Sequence, residues 1–147
     1  MKRILVLGAG ILMQICLGTI YAWSFFGLQL RETYGLGSAH TEFIYGLGIG
    51  VFAFGTIITG RLVYRIGPRS MSLISAVLFA LAFGGASLTG SSYPGLLITL
   101  SPVLGLAIAF GYVCPLSTAV GWFPHHKGMV TGLAVMGFGG GAFYAPA

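Results

Sequence analysis

In a chain that is 56% hydrophobic and 6% charged, side chains able to do chemistry stand out by their scarcity. Gln14 and Tyr21 are the first pair of interest. They lie seven residues apart, which puts them on one face of a helix, with Gly18, Ser24 and Phe25 on or near it. A glutamine in apolar surroundings must find a partner or water, so this face is predicted to line an interior. Tyr112 is a second phenol in a long apolar run, and Trp23 stands almost opposite Tyr21 by helical angle. These four are the candidates for lining an interior cavity, with packing an equal alternative for Trp23.

Other chemistries are excluded by what is missing beside each motif. Gly8-Ala9-Gly10 after a short apolar run resembles the start of a dinucleotide site, but Met13 occupies the position of the third glycine. Gly132, Gly137, Gly139, Gly140 and Gly141 have no Lys-Ser/Thr after them, as a phosphate-cradling loop would require. Glu32 and Glu42 are the only acids, and neither has a catalytic partner nearby. His125 and His126 are adjacent and so point to different sides of any regular element. Cys16 and Cys114 fall in apolar runs, where a buried hydrophobe is expected, and offer no disulfide framework and no metal-ligand spacing. The sequence therefore predicts no enzyme, no metal and no cofactor.

The elements that position these residues follow from hydropathy. A mean hydropathy of +0.96 is far above the soluble range. Long uncharged runs predict membrane helices, because lipid cannot hydrate exposed backbone. We place them at about 4–30, 43–63, 71–89, 95–120 and 129–147. The first run is far longer than the ~7–15 residue core of a signal peptide. Pro102 and Pro115 should bend the fourth helix. At ~1.5 Å per residue, Tyr21 and Tyr112 each lie only about 6 Å from the middle of their helices, too deep for interfacial belt aromatics.

Between the second and third runs stands the one dense charge cluster, GRLVYRIGPR, with Arg61, Arg65 and Arg69 around a Gly-Pro turn. Lys2, Arg3, Arg61, Arg65, Arg69 and Lys127 fall on one side of the predicted bundle, and Arg31 alone on the other. Short basic loops stay inside, so the N-terminus is predicted to be cytoplasmic. The same placement explains the net charge of +5 without nucleic acid. Residues 31–41, RETYGLGSAHT, read as an outer loop. The 25 glycines suit helices that pack through small residues, with Gly46 and Gly50 in the second helix and Gly132, Gly137 and Gly141 in the fifth as candidates.

The basic turn resembles the loop between helices 2 and 3 of the major facilitator superfamily. Gly60, Leu62, Arg65, Gly67 and Arg69 fit that pattern, whereas Tyr64 stands where the family has an aspartate. GTIYAWSFF (18–26), GYVCPLSTAVGWFP (111–124) and KGMVTGLAVMGFGGGA (127–142) are similar to segments of the oxalate/formate antiporter family, in its order and spacing. Gly121 departs where a basic residue is common, as do His125 and His126 where an acidic–basic pair is common.

The resemblance implies an all-α integral membrane fold of twelve helices in two halves, alternating access, small carboxylate anions as substrates and a multi-pass place in the cell membrane. Tyr21 and Tyr112 match positions that line the substrate cavity, and Gly60, Tyr64, Arg65, Gly67, Arg69 and Gly121 form the cytoplasmic loop and gate. On this plan the chain covers about five helices of the N-terminal half, cut near the end of the fifth, and its partners are the lipid bilayer and the missing C-terminal half. No acid or base lies deep in a span, so a counter-charge for an anion must come from that other half. The rival reading is a small non-transporting membrane protein that associates through its glycine-rich faces.

Overall fold

The structure, a computed structural model, describes residues 2–90 and 92–141, with side chains from Leu5 onward. The described residues fold as helices joined by tight turns. Four stretches are long and apolar enough to cross a membrane: Leu5–Tyr34, Ser38–Ile66, Pro68–Thr89 and Tyr93–Trp122. The expected end of the fifth helix, after residue 141, lies outside the described residues.

The first span is not one continuous α-helix. It consists of α1 (Lys2–Leu17), a 3-10 step (Gly18–Ala22) and α2 (Trp23–Tyr34). The predicted outer loop at 31–41 is largely helical, because α2 runs on to Tyr34 and α3 (Ser38–Ile66) begins only four residues later. Gly35 closes α2 in the left-handed region at φ 64°, and its N–H bonds to the Arg31 carbonyl at 2.9 Å. Arg31 then reaches across the turn to Glu42 at 2.6 Å and donates from Nε to the Thr41 hydroxyl at 2.9 Å. The charges that suggested a loop instead clamp a short helical hairpin.

The basic turn is equally tight. Gly67, at φ 86°, separates α3 from α4 (Pro68–Thr89), and Pro68 occupies the start of the helix, where its missing N–H costs nothing. Arg61 and Arg65 therefore ride on the end of α3, and Arg69 on the first turn of α4. The fourth span comprises α5 (Tyr93–Ile98), a π-helical segment (Thr99–Val103) and α6 (Leu104–Trp122). The widened turn holds Pro102, a residue that an α-helix accommodates poorly. After a turn, α7 (Lys127–Gly140) follows.

The fourth span is the hub. Half of its apolar stretch is buried, against 22% or less in the other three. Its carbonyls accept side-chain hydrogen bonds from three other helices: Gln14 Nε2 to Tyr112 O at 3.3 Å, Thr59 Oγ1 to Ala109 O at 3.1 Å and Ser75 Oγ to Ala107 O at 2.7 Å. In return, Ser101 donates to the Ile44 carbonyl at 2.8 Å. Such bonds hold helices together where lipid supplies no hydrophobic drive between them. The core around them is built from Leu17, Ile44, Leu96, Leu104 and Ile108.

The glycine contacts correct the expected packing faces. A Cβ on Gly46, Gly50 or Gly132 would meet nothing within 4 Å. The close approaches of α3 to the fourth span are at Gly48 and Gly55. A Cβ on Gly55 would lie 2.7 Å from that of Ala109, and one on Gly105 only 2.6 Å from the Gly48 carbonyl. Two residues turn a helix through about 200°, so a pair chosen two positions away points to the opposite side. In α7, Gly137 faces the first span, with Ile11 at 3.2 Å from its virtual Cβ, and Gly141 packs directly on the Gly18 backbone. Cys114 is buried, whereas Cys16, expected inside, faces outward.

Candidate functional site

The 3-10 step decides where Tyr21 points. Each 3-10 residue advances about 120° rather than 100°, so Tyr21 turns off the line it would share with Gln14 in a regular helix. Gln14 is fully buried beneath the fourth span, where its Nε2 holds the Tyr112 carbonyl and its Oε1 has no protein partner. Tyr21 is 45% exposed at the open face of the bundle. The expected common face of Gln14 and Tyr21 is thus divided into a buried strut and an exposed phenol.

The structure gathers aromatic rings from four helices around Tyr21. Phe138 of α7 lies at its centre, 5.2 Å from the Tyr21 ring, 4.9 Å from Tyr112 and 5.9 Å from Phe52. Phe52 also meets Tyr112 edge-on at 5.5 Å. Tyr21 lies about 2 Å along the helix from the midpoint of the first span, Phe52 lies at the midpoint of the second, and Tyr112 lies about 7 Å from that of the fourth, at ~1.5 Å per residue. The arrangement is a mid-depth wall of aromatic faces with phenol hydroxyls, able to donate hydrogen bonds to an anion or to sit against a planar group.

Trp23 does not join this wall. It is 8% exposed and stacks on Tyr45 at 5.4 Å and 18°, with its Nε1 lacking a protein partner. Its outer edge borders a groove of about 190 Å³ with Leu17, Ile20, Phe26, Phe79 and Phe83, whose lining suits hydrocarbon and not an anion. Tyr45, Phe52 and Phe138 were not foreseen. The signal available in the sequence was an aromatic residue at similar depth in each of several spans, which becomes meaningful only once the spans are arranged.

At the bundle end that carries the basic turn, Tyr64 and Gly121 line one cleft of about 480 Å³ together with Ser117, Thr118 and Trp122. Tyr64 is 84% exposed, Arg65 and Arg69 are exposed, and Gly60, Gly67 and Gly121 have open space where a Cβ would sit. Ser117 donates back to the Cys114 carbonyl at 3.0 Å, near Pro115. Among the described residues no cluster of His, Cys, Asp or Glu could hold a metal ion.

The chain is similar in sequence to known proteins. The family model described as Major Facilitator Superfamily matches residues 7–147. An uncharacterised MFS-type transporter, YhjX, of Escherichia coli is 32% identical over 95% of the chain and 35% of its own length. Apicoplast pyruvate carrier 1 of Toxoplasma gondii is 26% identical over 90% of the chain and 31% of its own length. The oxalate:formate antiporter of Oxalobacter formigenes is also 26% identical, over 89% of the chain and 31% of its own length. The chain spans about a third of the length of these relatives.

Proposed function

Because the chain belongs to the Major Facilitator Superfamily, we propose that it forms the N-terminal part of a carrier for small carboxylate anions that works by alternating access. The observation that carries this reading is the mid-depth wall of Tyr21, Phe52, Tyr112 and Phe138, drawn from four helices of an otherwise apolar bundle. Phenol hydroxyls at that depth favour a polar occupant over hydrocarbon. The pyruvate carrier and the oxalate:formate antiporter among its relatives support a carboxylate as that occupant. Tyr21 and Tyr112 donate to the carboxylate while the flanking rings exclude lipid and water.

None of the described arginines or lysines lies near the middle of a span. We therefore assign the cation that balances the substrate to a C-terminal half that faces this wall, and alternating access to rocking of the two halves about it. In this reading the N-terminus is cytoplasmic, the membrane is the cell membrane and the cleft at Tyr64 and Gly121 belongs to the inner gate. Uptake of radiolabelled oxalate, formate and lactate into vesicles holding the full-length protein tests it. Saturable uptake of one of them is expected, with Tyr21→Ala and Tyr112→Ala raising the half-saturation concentration at near-normal expression. Unchanged half-saturation in both variants refutes the assignment of the wall as the site.

A further inference from the structure

Phe138 is 5% exposed and, among the described residues, is the one ring that touches Tyr21, Tyr112 and Phe52 together. Its backbone is fixed from the other side. A Cβ on Gly18 would fall on the Phe138 carbonyl, and Gly141 packs against the Gly18 backbone. Residues three apart eclipse in a 3-10 helix, so Gly18 and Tyr21 stand in one line along the Gly18–Ala22 step. The contact that seats Gly18 on the Phe138 backbone thereby lowers the Tyr21 ring onto the Phe138 side chain, edge to face at 73°. On its opposite flank Phe138 meets Tyr112 at 67°. The Phe138 ring is thus in contact with both phenol rings.

We propose that Phe138 is a positioning residue that sets the separation and tilt of the Tyr21 and Tyr112 hydroxyls and so determines which small carboxylate fits between them. This rests on the carrier reading given above. Edge-to-face pairs have a preferred geometry, so a single ring holding two others limits both at once. An aliphatic side chain of similar bulk fills the space without imposing that geometry.

The experiment has two arms, both on the full-length protein. In the first, meta-fluorotyrosine replaces Tyr21, Tyr112 and, as a control, Tyr64, and fluorine resonances are compared with and without Phe138→Leu. The signals at 21 and 112 are expected to move and that at 64 to stay, while Phe138→Tyr, which keeps the ring, leaves all three near their original positions. Unmoved signals at 21 and 112 overturn the proposal. Phe138→Met, flexible and of comparable size, takes the place of the leucine variant if that protein does not accumulate.

In the second arm, oxalate, formate and lactate are the uptake probes. For whichever of them the unaltered protein carries, Phe138→Leu should raise half-saturation roughly five- to tenfold with the maximal rate kept. Phe138→Tyr should restore it. In a Tyr21→Phe, Tyr112→Phe background, which lacks both hydroxyls, the leucine change should add little. A lowered maximal rate with unchanged half-saturation, or a full effect without the hydroxyls, overturns the proposal. If the unaltered protein takes up none of the probes, the carboxylate reading fails by itself, and the fluorine arm still decides whether Phe138 positions the two phenols.

Discussion

Replacing Gly18 by alanine tests the packing that holds the first span against α7. The added methyl would coincide with the Phe138 carbonyl and stand 3.2 Å from Gly141 Cα. Both obstacles are backbone, so no side-chain rotation relieves the overlap. A carbon–oxygen contact needs about 3.3 Å, and reaching it requires the two helices to part by roughly 1 Å or more. A gap of that size forfeits between a quarter and a half of each dispersion contact along the seam. The Phe138 ring, with three aromatic neighbours at about 0.5–1.5 kcal/mol per pair, bears much of this loss. Overpacking of this kind costs about 1–3 kcal/mol, offset by up to ~1 kcal/mol from replacing glycine in a helix. A net destabilisation of about 2 kcal/mol is expected. Gly132→Ala is the control: nothing lies within 4 Å of its virtual Cβ, so the sign should reverse, with a gain of up to ~1 kcal/mol. Thermal unfolding of the two variants purified in detergent, followed by helical circular dichroism, measures the contrast. A Gly18→Ala protein that melts with or above the parent would refute the backbone-to-backbone seam.

Three further predictions address orientation, gating and the hub. In a background without Cys16 and Cys114, cysteines at Arg65 and His125 should be shielded from an impermeant maleimide on intact cells and one at Ser38 labelled; labelling at 65 would invert the topology. Tyr64 is exposed here but would be covered when the proposed inner gate closes, so Tyr64→Asp in the full-length protein should lower transport, and adding Gly121→Arg should recover part of it, because both positions line the same cleft. Strictly additive effects in that cycle, with expression unchanged, would show that the two sites do not act as a pair. Ser75→Ala should cost about 1 kcal/mol through loss of its 2.7 Å bond to Ala107 O, while Ser87→Ala, an exposed residue whose hydroxyl bonds back to the Gly84 carbonyl of its own helix, should cost little. Equal unfolding temperatures for these two variants would argue against the hydroxyl bonds as fasteners of the fourth span.

The approximate place of four spans was legible because hydropathy is a property of the chain itself. The tight basic turn was legible too, since Gly67 and Pro68 carry their backbone preferences with them. What a residue faces depends on a partner helix, and there the sequence was ambiguous. The second span carries Gly46 and Gly50 at one spacing and Gly48 and Gly55 at another, and both sets would allow close approach. Only the position of Gly105 and Ala109 on the neighbouring span selects Gly48 and Gly55. The 3-10 step had no proline to announce it. Thr19, whose hydroxyl bonds back to the Cys16 carbonyl at 2.8 Å, is the local feature that accompanies it. Missing that step placed Gln14 and Tyr21 on a common face. The charges at Arg31 and Glu42 suggested solvated chain because their pairing across a turn is a tertiary fact.

The 3-10 step in the first span also sets a length and a twist. Five residues at about 2.0 Å each extend roughly 2.5 Å further than the same five in an α-helix, and wind through about 100° more. The span is therefore a screw with two pitches. Were Gly18–Ala22 to relax to the α pitch, α2 would be drawn about 2.5 Å toward α1 and turned by more than a quarter revolution, carrying Tyr21 away from Phe138 and swinging Arg31 off Glu42. One short change of pitch would couple the middle of the first span to the turn that joins it to the second, with no hinge needed between them.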